Sequence, residues 1–345
     1  MLAALLCLPG AGVASSPVPA PEPVCTVDDP RLSELSGLVA PGQPGAGAAR
    51  YEAITDGGGT ARVYTLDPAT CAVSAVRDTG VAVTDVEDLG LGADGSLWVA
   101  DIGDNGARRP SVRLVVLPPA GPVRVHDLRY PDGPRDAEAV LVGDDGVPLV
   151  VDKTTGAAGV YRAAGPGPDG DWVRAGQVVL PWSGTGGGPL GAAGSRTVTG
   201  GGVSPPGATG GRAVVLRTYT DAWVFPLPAD GPADAGAVVT ALRGAPLQVP
   251  LPGEAQGEAV APDGRGTLHS GSEARGLSAA GVVAAPGAVA AATGPGAPVV
   301  AQPGRAPAVD TGPPWLPAAT GAAVLGAVLL AGVGAMALHG RRRRR

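Results

Sequence analysis

Between Cys25 and residue 283 the chain is built from short apolar runs cut by glycine, proline and Asp-Gly pairs. Runs such as ARVYTLD, VRLVVLP and WVRAGQVVL alternate apolar and polar positions with a period near two, which predicts β-strands. No stretch from 15 to 283 shows a useful helical period. The strands follow a recurring plan. A strand opening at an acidic or small polar residue is followed by a Gly-rich turn, a second apolar strand and a polar cluster. The units begin near Glu34, Glu87, Glu138, Gly200 and Glu258, at spacings of 53, 51, 62 and 58 residues. Two further strands follow each of the first three pairs. Four strands in each 50–60 residues predict an all-β fold, a β-propeller, with one blade per unit. The last unit is short of strands, and the segment around Cys25–Val27 is expected to supply its outer strand and close the ring. The count is five blades, or six if the region after Ala229 holds another. A β-sandwich is the alternative, but it gives no reason for the repeated unit.

The two ends have a different pattern. Residues 1–14 are an apolar run ending in small residues, which reads as a signal peptide cleaved before Ser15. Residues 284–314 hold seven Pro, ten Ala and five Gly and read as an extended stalk. Residues 318–338 carry no charge and, as a helix, would span about 31 Å, enough for a bilayer core. Residues 339–345 end in five arginines, Arg341 to Arg345, which the positive-inside rule places in the cytoplasm. The expected location is therefore the outer face of the cell membrane, with a single membrane pass. Leu316-Pro317-Ala318-Ala319-Thr320-Gly321 leaves a second route open. It is similar to a sortase sorting signal, with one extra alanine, and would lead to attachment on the cell wall.

Composition sharpens this picture in two places. Removing residues 1–14 leaves Cys25 and Cys71, a pair that in an exported chain reads as a disulfide, with two buried thiols as the alternative. The formal charge of −6 includes the arginine tail; without it, 20 basic and 31 acidic side chains leave −11. Such an acidic exterior argues against a nucleic-acid partner and suits a cation.

Four segments carry a family resemblance: VEDLGLGADGSLWVADIGDN from Val86, YPDGPRDAEAVLV from Tyr130, RAVVLRTYTDAWVF from Arg212 and LPGEAQGEAV from Leu251. Over about residues 30–275 the chain resembles secreted actinobacterial propeller proteins. These are distantly similar to the esterase-like activity of phytase group and to calcium-dependent propeller lactonases. The resemblance implies the fold and leaves the activity unassigned. One departure is Gly200-Gly201-Gly202, where the pattern expects an acid.

In a propeller the first strand of each blade lines the central channel, so residues at its start converge. Glu34, Glu87, Glu138 and Glu258 are expected to ring one mouth, with Asp88 and Asp136 beside them. Asp56, Asp101, Asp104, Asn105, Asp152 and Glu273 end the second strands. Crowded carboxylates need a counter-charge. Ca²⁺, which takes six to eight oxygen ligands, is the expected ion, with Glu87, Asp101, Asp104 and Glu138 as candidate ligands. The same acids also suit a purely structural role, accepting hydrogen bonds from neighbouring backbone. Lys153, the one lysine, is placed to neutralise Glu138 or hold an anionic ligand. Arg217 lies mid-strand and is expected to pair with a neighbouring blade's carboxylate. No G-x-S-x-G, H-E-x-x-H or P-loop occurs, and the three histidines are isolated.

The leading expectation is a surface-held propeller, without an assigned catalytic role, binding a small ligand, a cation or a partner through one face. The alternatives are a calcium-dependent hydrolase of a lactone, ester or phosphoester, and a structural envelope protein.

Overall fold

The computed structural model describes residue 18 and residues 20–40, 50–165, 167–169, 171–274 and 280–294. The chain divides into two compact units, residues 1–302 and 303–345. The second lies wholly outside the described residues, as do the expected signal at 1–14, the apolar segment 318–338 and the tail 339–345. Among the described residues no helix is long and apolar enough to cross a membrane.

Among the described residues twenty strands form five four-stranded antiparallel sheets. The first strand, β1 (Glu22–Val27), belongs to the last sheet. Blade 1 holds β2 (Leu35–Val39), β3 (Tyr51–Thr55), β4 (Gly57–Leu66) and β5 (Val73–Val86). Blade 2 holds β6 (Asp88–Leu91), β7 (Leu97–Asp101), β8 (Val112–Leu117) and β9 (Arg124–Leu128). Blade 3 holds β10 (Ala137–Val142), β11 (Pro148–Asp152), β12 (Ala157–Ala163) and β13 (Trp172–Val179). Blade 4 holds β14 (Val198–Val203), β15 (Ala213–Thr218), β16 (Asp221–Pro226) and β17 (Leu247–Pro250). Blade 5 holds β18 (Gly257–Pro262), β19 (Leu268–Ser272) and β20 (Ala280–Ala285), completed by β1. The fold is a five-bladed β-propeller. The region after Ala229 holds a short helix, α1 (Ala235–Ala241), and the outer strand of blade 4, not a sixth blade.

The first strands pack against one another around the axis and are almost entirely buried: every residue of β2, β10 and β18 is shielded. Backbones meet so closely there that side chains have no room. A Cβ at Gly37 would stand 2.5 Å from Leu89 N, and one at Gly200 would stand 2.4 Å from Glu258 O. Glycine in these strands is therefore a packing requirement. The Asp-Gly pairs at Asp94, Asp145 and Asp263 lie in turns at the far ends of β6, β10 and β18. Asp94 accepts from Ser96 N, Gly95 has φ +80°, and Gly92 N donates to Ser96 O.

The ring closes as the repeat predicts. β1 pairs antiparallel with β20, from Glu22 opposite Ala284 to Val27 opposite Ala280. Cys25 on β1 is joined to Cys71, just before β5 of blade 1, with Cα atoms 5.7 Å apart. The disulfide thus fastens the seam where the two ends of the propeller meet.

The folded part runs further than its composition suggests. The stalk is expected from residue 284, yet β20 continues to Ala285 and a second helix, α2 (Ala288–Thr293), follows. Ala288, Val289 and Ala292 are buried against Val224, Val249 and Leu268 of blades 4 and 5. Small alanines let this helix sit close to the sheets. A composition that cannot build its own core can still fill a seat offered by another.

Candidate functional site

The first strands share a local device at their starts. In blades 1, 3, 4 and 5 the pairing with the second strand skips one residue: Ser36, Glu138, Thr199 and Glu258. In blade 2, Glu87 N donates to Ala100 O at 2.9 Å while Asp88 is the residue paired with Ala100. Each blade thus presents one bulged residue, and the five equivalent positions are Ser36, Glu87, Glu138, Thr199 and Glu258. Two residues earlier in each blade stand Glu34, Asp85, Asp136, Thr197 and Gln256.

This register revises two expectations. Glu34 is not the counterpart of Glu87; it matches Asp85, and it is exposed. The fourth blade's counterpart is Thr199, and Gly200 holds its place because of the close approach to Glu258.

The bulged residues divide by chemistry. Ser36 Oγ donates to Glu87 O, and Thr199 Oγ1 donates to Gly257 O at 2.9 Å. A hydroxyl can donate to a neighbouring blade's carbonyl; an ionised carboxylate cannot. Glu87, Glu138 and Glu258 are buried nonetheless. Asp56, Asp85 and Glu87 bring one oxygen each within 4.8 Å of one another, and so do Glu87, Asp136 and Glu138. Glu87 belongs to both groups, so five carboxylates from blades 1, 2 and 3 meet around it. Lys153 Nζ lies 2.5 Å from Glu138 Oε1.

The electrostatics follow from this crowding. Burial raises the Glu87 carboxyl far above its ordinary range, helped by the charges of Glu138 and Asp56. Burial also raises Glu138, an effect that Lys153 opposes. Asp56 is pushed up to about 6 by burial and by Asp85 and Glu34. Asp85 is raised by burial and Asp136. Glu258 is raised by burial, with Glu138 and Glu273 adding to it. Asp56 Oδ1 and Glu258 Oε2 are buried without a hydrogen-bond partner among the described residues. The mouth therefore holds more acceptor oxygen than its neighbours supply donors for.

Other expected site residues are held by the fold itself. Asp88 is fully buried and accepts from Leu89 N at 2.8 Å, Val140 N at 2.8 Å and Gly201 N at 3.1 Å, tying blades 2, 3 and 4 together. Asp101 accepts from Asp85 N at 2.8 Å and pairs with Arg109 at 2.9 Å. Asp104 accepts from Arg109 N at 2.7 Å, while its own N donates to Asp136 Oδ1 at 2.8 Å. Neither Asp101 nor Asp104, both expected as metal ligands, belongs to the two carboxylate groups. Asp152 is engaged by Gly159 N and Arg135. Arg217 is fully buried and pairs with Glu254, on the connection into blade 5; burial lowers its guanidinium to about 9. This is the neighbouring-blade partner its mid-strand position calls for.

Two members of the mouth were not singled out from the sequence. Asp85 precedes Glu87 by two residues as Asp136 precedes Glu138, and this doublet was the available signal. Tyr219 directly follows β15 at the position that Lys153 occupies after β11. Burial raises its hydroxyl to about 12, with the charges of Glu258 and Glu138 adding and Lys153 opposing. No local pattern marks it.

No protein-family model matches the chain, and no curated protein matches it. Solved structures do resemble it. A gluconolactonase of Xanthomonas campestris is 14% identical over 69% of this chain and 69% of its own, with a TM-score of 0.35. The PQQ-bound aldose sugar dehydrogenase of Streptomyces coelicolor is 12% identical over 76% of this chain and 96% of its own, with a TM-score of 0.39. Virginiamycin B lyase of Staphylococcus aureus is 11% identical over 73% of this chain and 66% of its own, with a TM-score of 0.34. Their activities differ, and at these scores the likeness carries no argument about this chain's own.

Proposed function

We propose that the protein is a divalent-cation-binding β-propeller whose channel mouth captures a small, oxygen-rich ligand. The observation that carries this reading is the meeting of Asp56, Asp85, Glu87, Asp136 and Glu138 around one shared carboxylate, with Lys153 beside Glu138. The donor set is all oxygen, which fits Ca²⁺ rather than a softer metal. The unpartnered Asp56 Oδ1 fits the same ion. Glu87, common to both groups, and Asp56, Asp85, Asp136 and Glu138 are the residues that would hold it.

A second reading makes the same mouth a hydrolase of a lactone, ester or phosphoester. It is favoured by the neighbourhood of Lys153, Tyr219 and carboxyls raised above their ordinary range, a combination suited to holding and moving protons. A bound cation would supply Lewis-acid polarisation of a carbonyl or phosphoryl oxygen. In that reading Lys153 and Tyr219 orient the ligand, and a carboxylate not engaged by the ion takes up the proton.

Calorimetry tests the first reading and a substrate panel the second. Calcium is expected to bind with release of protons, and the heat should vary with the buffer's ionisation enthalpy. Calcium-dependent turnover of a lactone or aryl ester supports the hydrolase. Calcium binding without turnover leaves the ligand-binding reading. No calcium binding removes both.

The setting we propose is the cell surface, reached by export and held by the C-terminal apolar segment or by the wall. The Cys25–Cys71 disulfide suits an oxidising compartment. An epitope tag after Arg345 distinguishes the two anchors. Retention of the tag with extraction by detergent supports a membrane helix. Loss of the tag with release only by wall-digesting enzymes supports sorting. Recovery of tagged protein from the cytosol overturns the setting.

A further inference from the structure

The two carboxylate groups of the mouth share Glu87 and differ in what accompanies them. Asp56, Asp85 and Glu87 belong to blades 1 and 2; Glu87, Asp136 and Glu138 belong to blades 2 and 3. Two ions about 3.5–4 Å apart, clamping one reacting group between them, are a recurrent arrangement in proteins. The first group lacks a positive partner. Among the described residues no ion pair reaches Asp56, Asp85 or Glu87. No hydrogen bond reaches the Glu87 carboxyl either, although the residue is only 5% exposed. Asp56 Oδ1 is in the same condition. Gly103 makes room beside this group: a Cβ there would overlap Glu87 Oε1 and stand 2.6 Å from Asp85 Oδ2. Its N donates to Asp85 O at 3.1 Å, which fixes bare backbone against the two carboxylates.

The second group carries a cation of its own. Lys153 Nζ lies 2.5 Å from Glu138 Oε1, and Lys153 N donates to Asp136 O at 3.0 Å. The lysine is thus tied to both residues that this group does not share with the first. Asp136 Oδ1 also accepts from Asp104 N at 2.8 Å. The chain's one lysine stands here, in a sequence that otherwise uses arginine. A compact ammonium is a point charge and fits among crowded oxygens where a planar guanidinium does not.

We propose that the mouth binds one divalent cation, with Asp56, Asp85 and Glu87, and that the Lys153 ammonium takes the place of a second ion among Glu87, Asp136 and Glu138. This rests on the cation reading of the mouth and narrows it. The ion belongs to the side of blades 1 and 2. The side of blades 2 and 3 meets a ligand with the Lys153–Glu138 pair in place of a second metal. A second divalent ion is kept out by a tethered positive charge already beside the carboxylate it would need.

The test counts ions. Equilibrium dialysis and calorimetry with calcium at pH 8 are expected to give one ion per wild-type chain. Lys153→Met keeps the length of the side chain and removes its charge, and it is expected to bind two. Terbium and europium added together give an independent readout. Energy transfer between them needs two ions in one mouth and is expected in Lys153→Met alone. Asp56→Asn touches only the first group. It should weaken the wild-type ion about ten-fold, because affinity follows the number of charged ligands. In the Lys153→Met background it should weaken one ion of the two. If Lys153→Met fails to fold, Lys153→Gln carries the count. Two ions on the wild type, or a single ion on the folded variant without the lysine charge, overturn the proposal and leave the cation reading standing. No ion on the wild type overturns the cation reading itself, and this proposal with it.

Discussion

Calcium is expected to raise the melting temperature of the protein at pH 8, and Glu87→Gln is expected to abolish the rise. At a calcium concentration one hundred times the dissociation constant, binding to the folded state alone contributes about 2.7 kcal/mol. For a domain of this size that is about 5–10 °C. Glu87 is the choice because it is common to both carboxylate groups and leaves the Lys153–Glu138 pair intact. Adding Glu138→Gln should lower the calcium response no further, since the site is already lost. It would remove the partner of Lys153 and lower stability on its own.

Without calcium the pH dependence should run opposite to ordinary acid denaturation. Burial raises Asp56 to about 6 and Glu138 to about 8, so the folded state holds protons that the unfolded chain has released. Their contribution to stability is fully present below the unfolded values near pH 4 and is lost as pH rises through 6 and then 8. Glu87, raised further, extends the loss to higher pH. The melting temperature in chelator should therefore fall between pH 5 and pH 8, and calcium should restore it most at the upper end. A chelator melt that is flat across this window, together with an identical melt in calcium, would falsify the cation site.

The second large effect belongs to the disulfide. Cys25→Ser, or reduction of the wild-type bond, is expected to lower the melting temperature by about 10 °C. The chain-entropy estimate for a closed loop of this length is about 4 kcal/mol, and each kcal/mol shifts a domain of this size by about 2–4 °C. The position adds to the expectation. β1 is largely exposed, with only Val27 of its six residues buried, so its hydrogen bonds to β20 do most of the holding. Cys71 is buried in the hydrophobic cluster of the seam with Leu32, Leu35 and Leu66. The bond therefore anchors the one strand that joins the last blade to the start of the chain. Proteolysis of the reduced protein should begin in residues 20–30. An unchanged melt after complete reduction would show that β20 alone holds the strand.

Much of this was readable in advance because it depends on short-range order. The alternation in VRLVVLP, the Asp94-Gly95 turn and the recurrence of the four-strand unit are set by neighbours a few residues apart. Ring closure by the Cys25–Val27 segment followed from counting strands. The ends of the domain were less legible. Ala288–Thr293 looks like stalk because alanine and glycine carry little pattern, and only the surface between blades 4 and 5 gives those alanines something to bury against.

The site shows the same division. The recurring acids and their 51-residue spacing are properties of the sequence, and so is the need for a counter-charge wherever they meet. The bulge is not. A slip of two residues keeps the same face of a strand, so hydrophobic pattern alone matches Glu34 to Glu87 as readily as Ser36 to Glu87. The pairing of β2 with β3 decides between them, because it leaves Ser36 as the residue without a partner. Likewise Asp88, Asp101 and Glu138 are interchangeable as symbols. Asp88 became a staple because the N–H groups of Val140 and Gly201 reach it, and Asp101 became a partner for Arg109. Glu138 was left facing Glu87 and Lys153. Local chemistry determined which residues could carry charge in the channel. The backbone donors brought near each carboxylate by the closed ring decided which of them still lacks a partner.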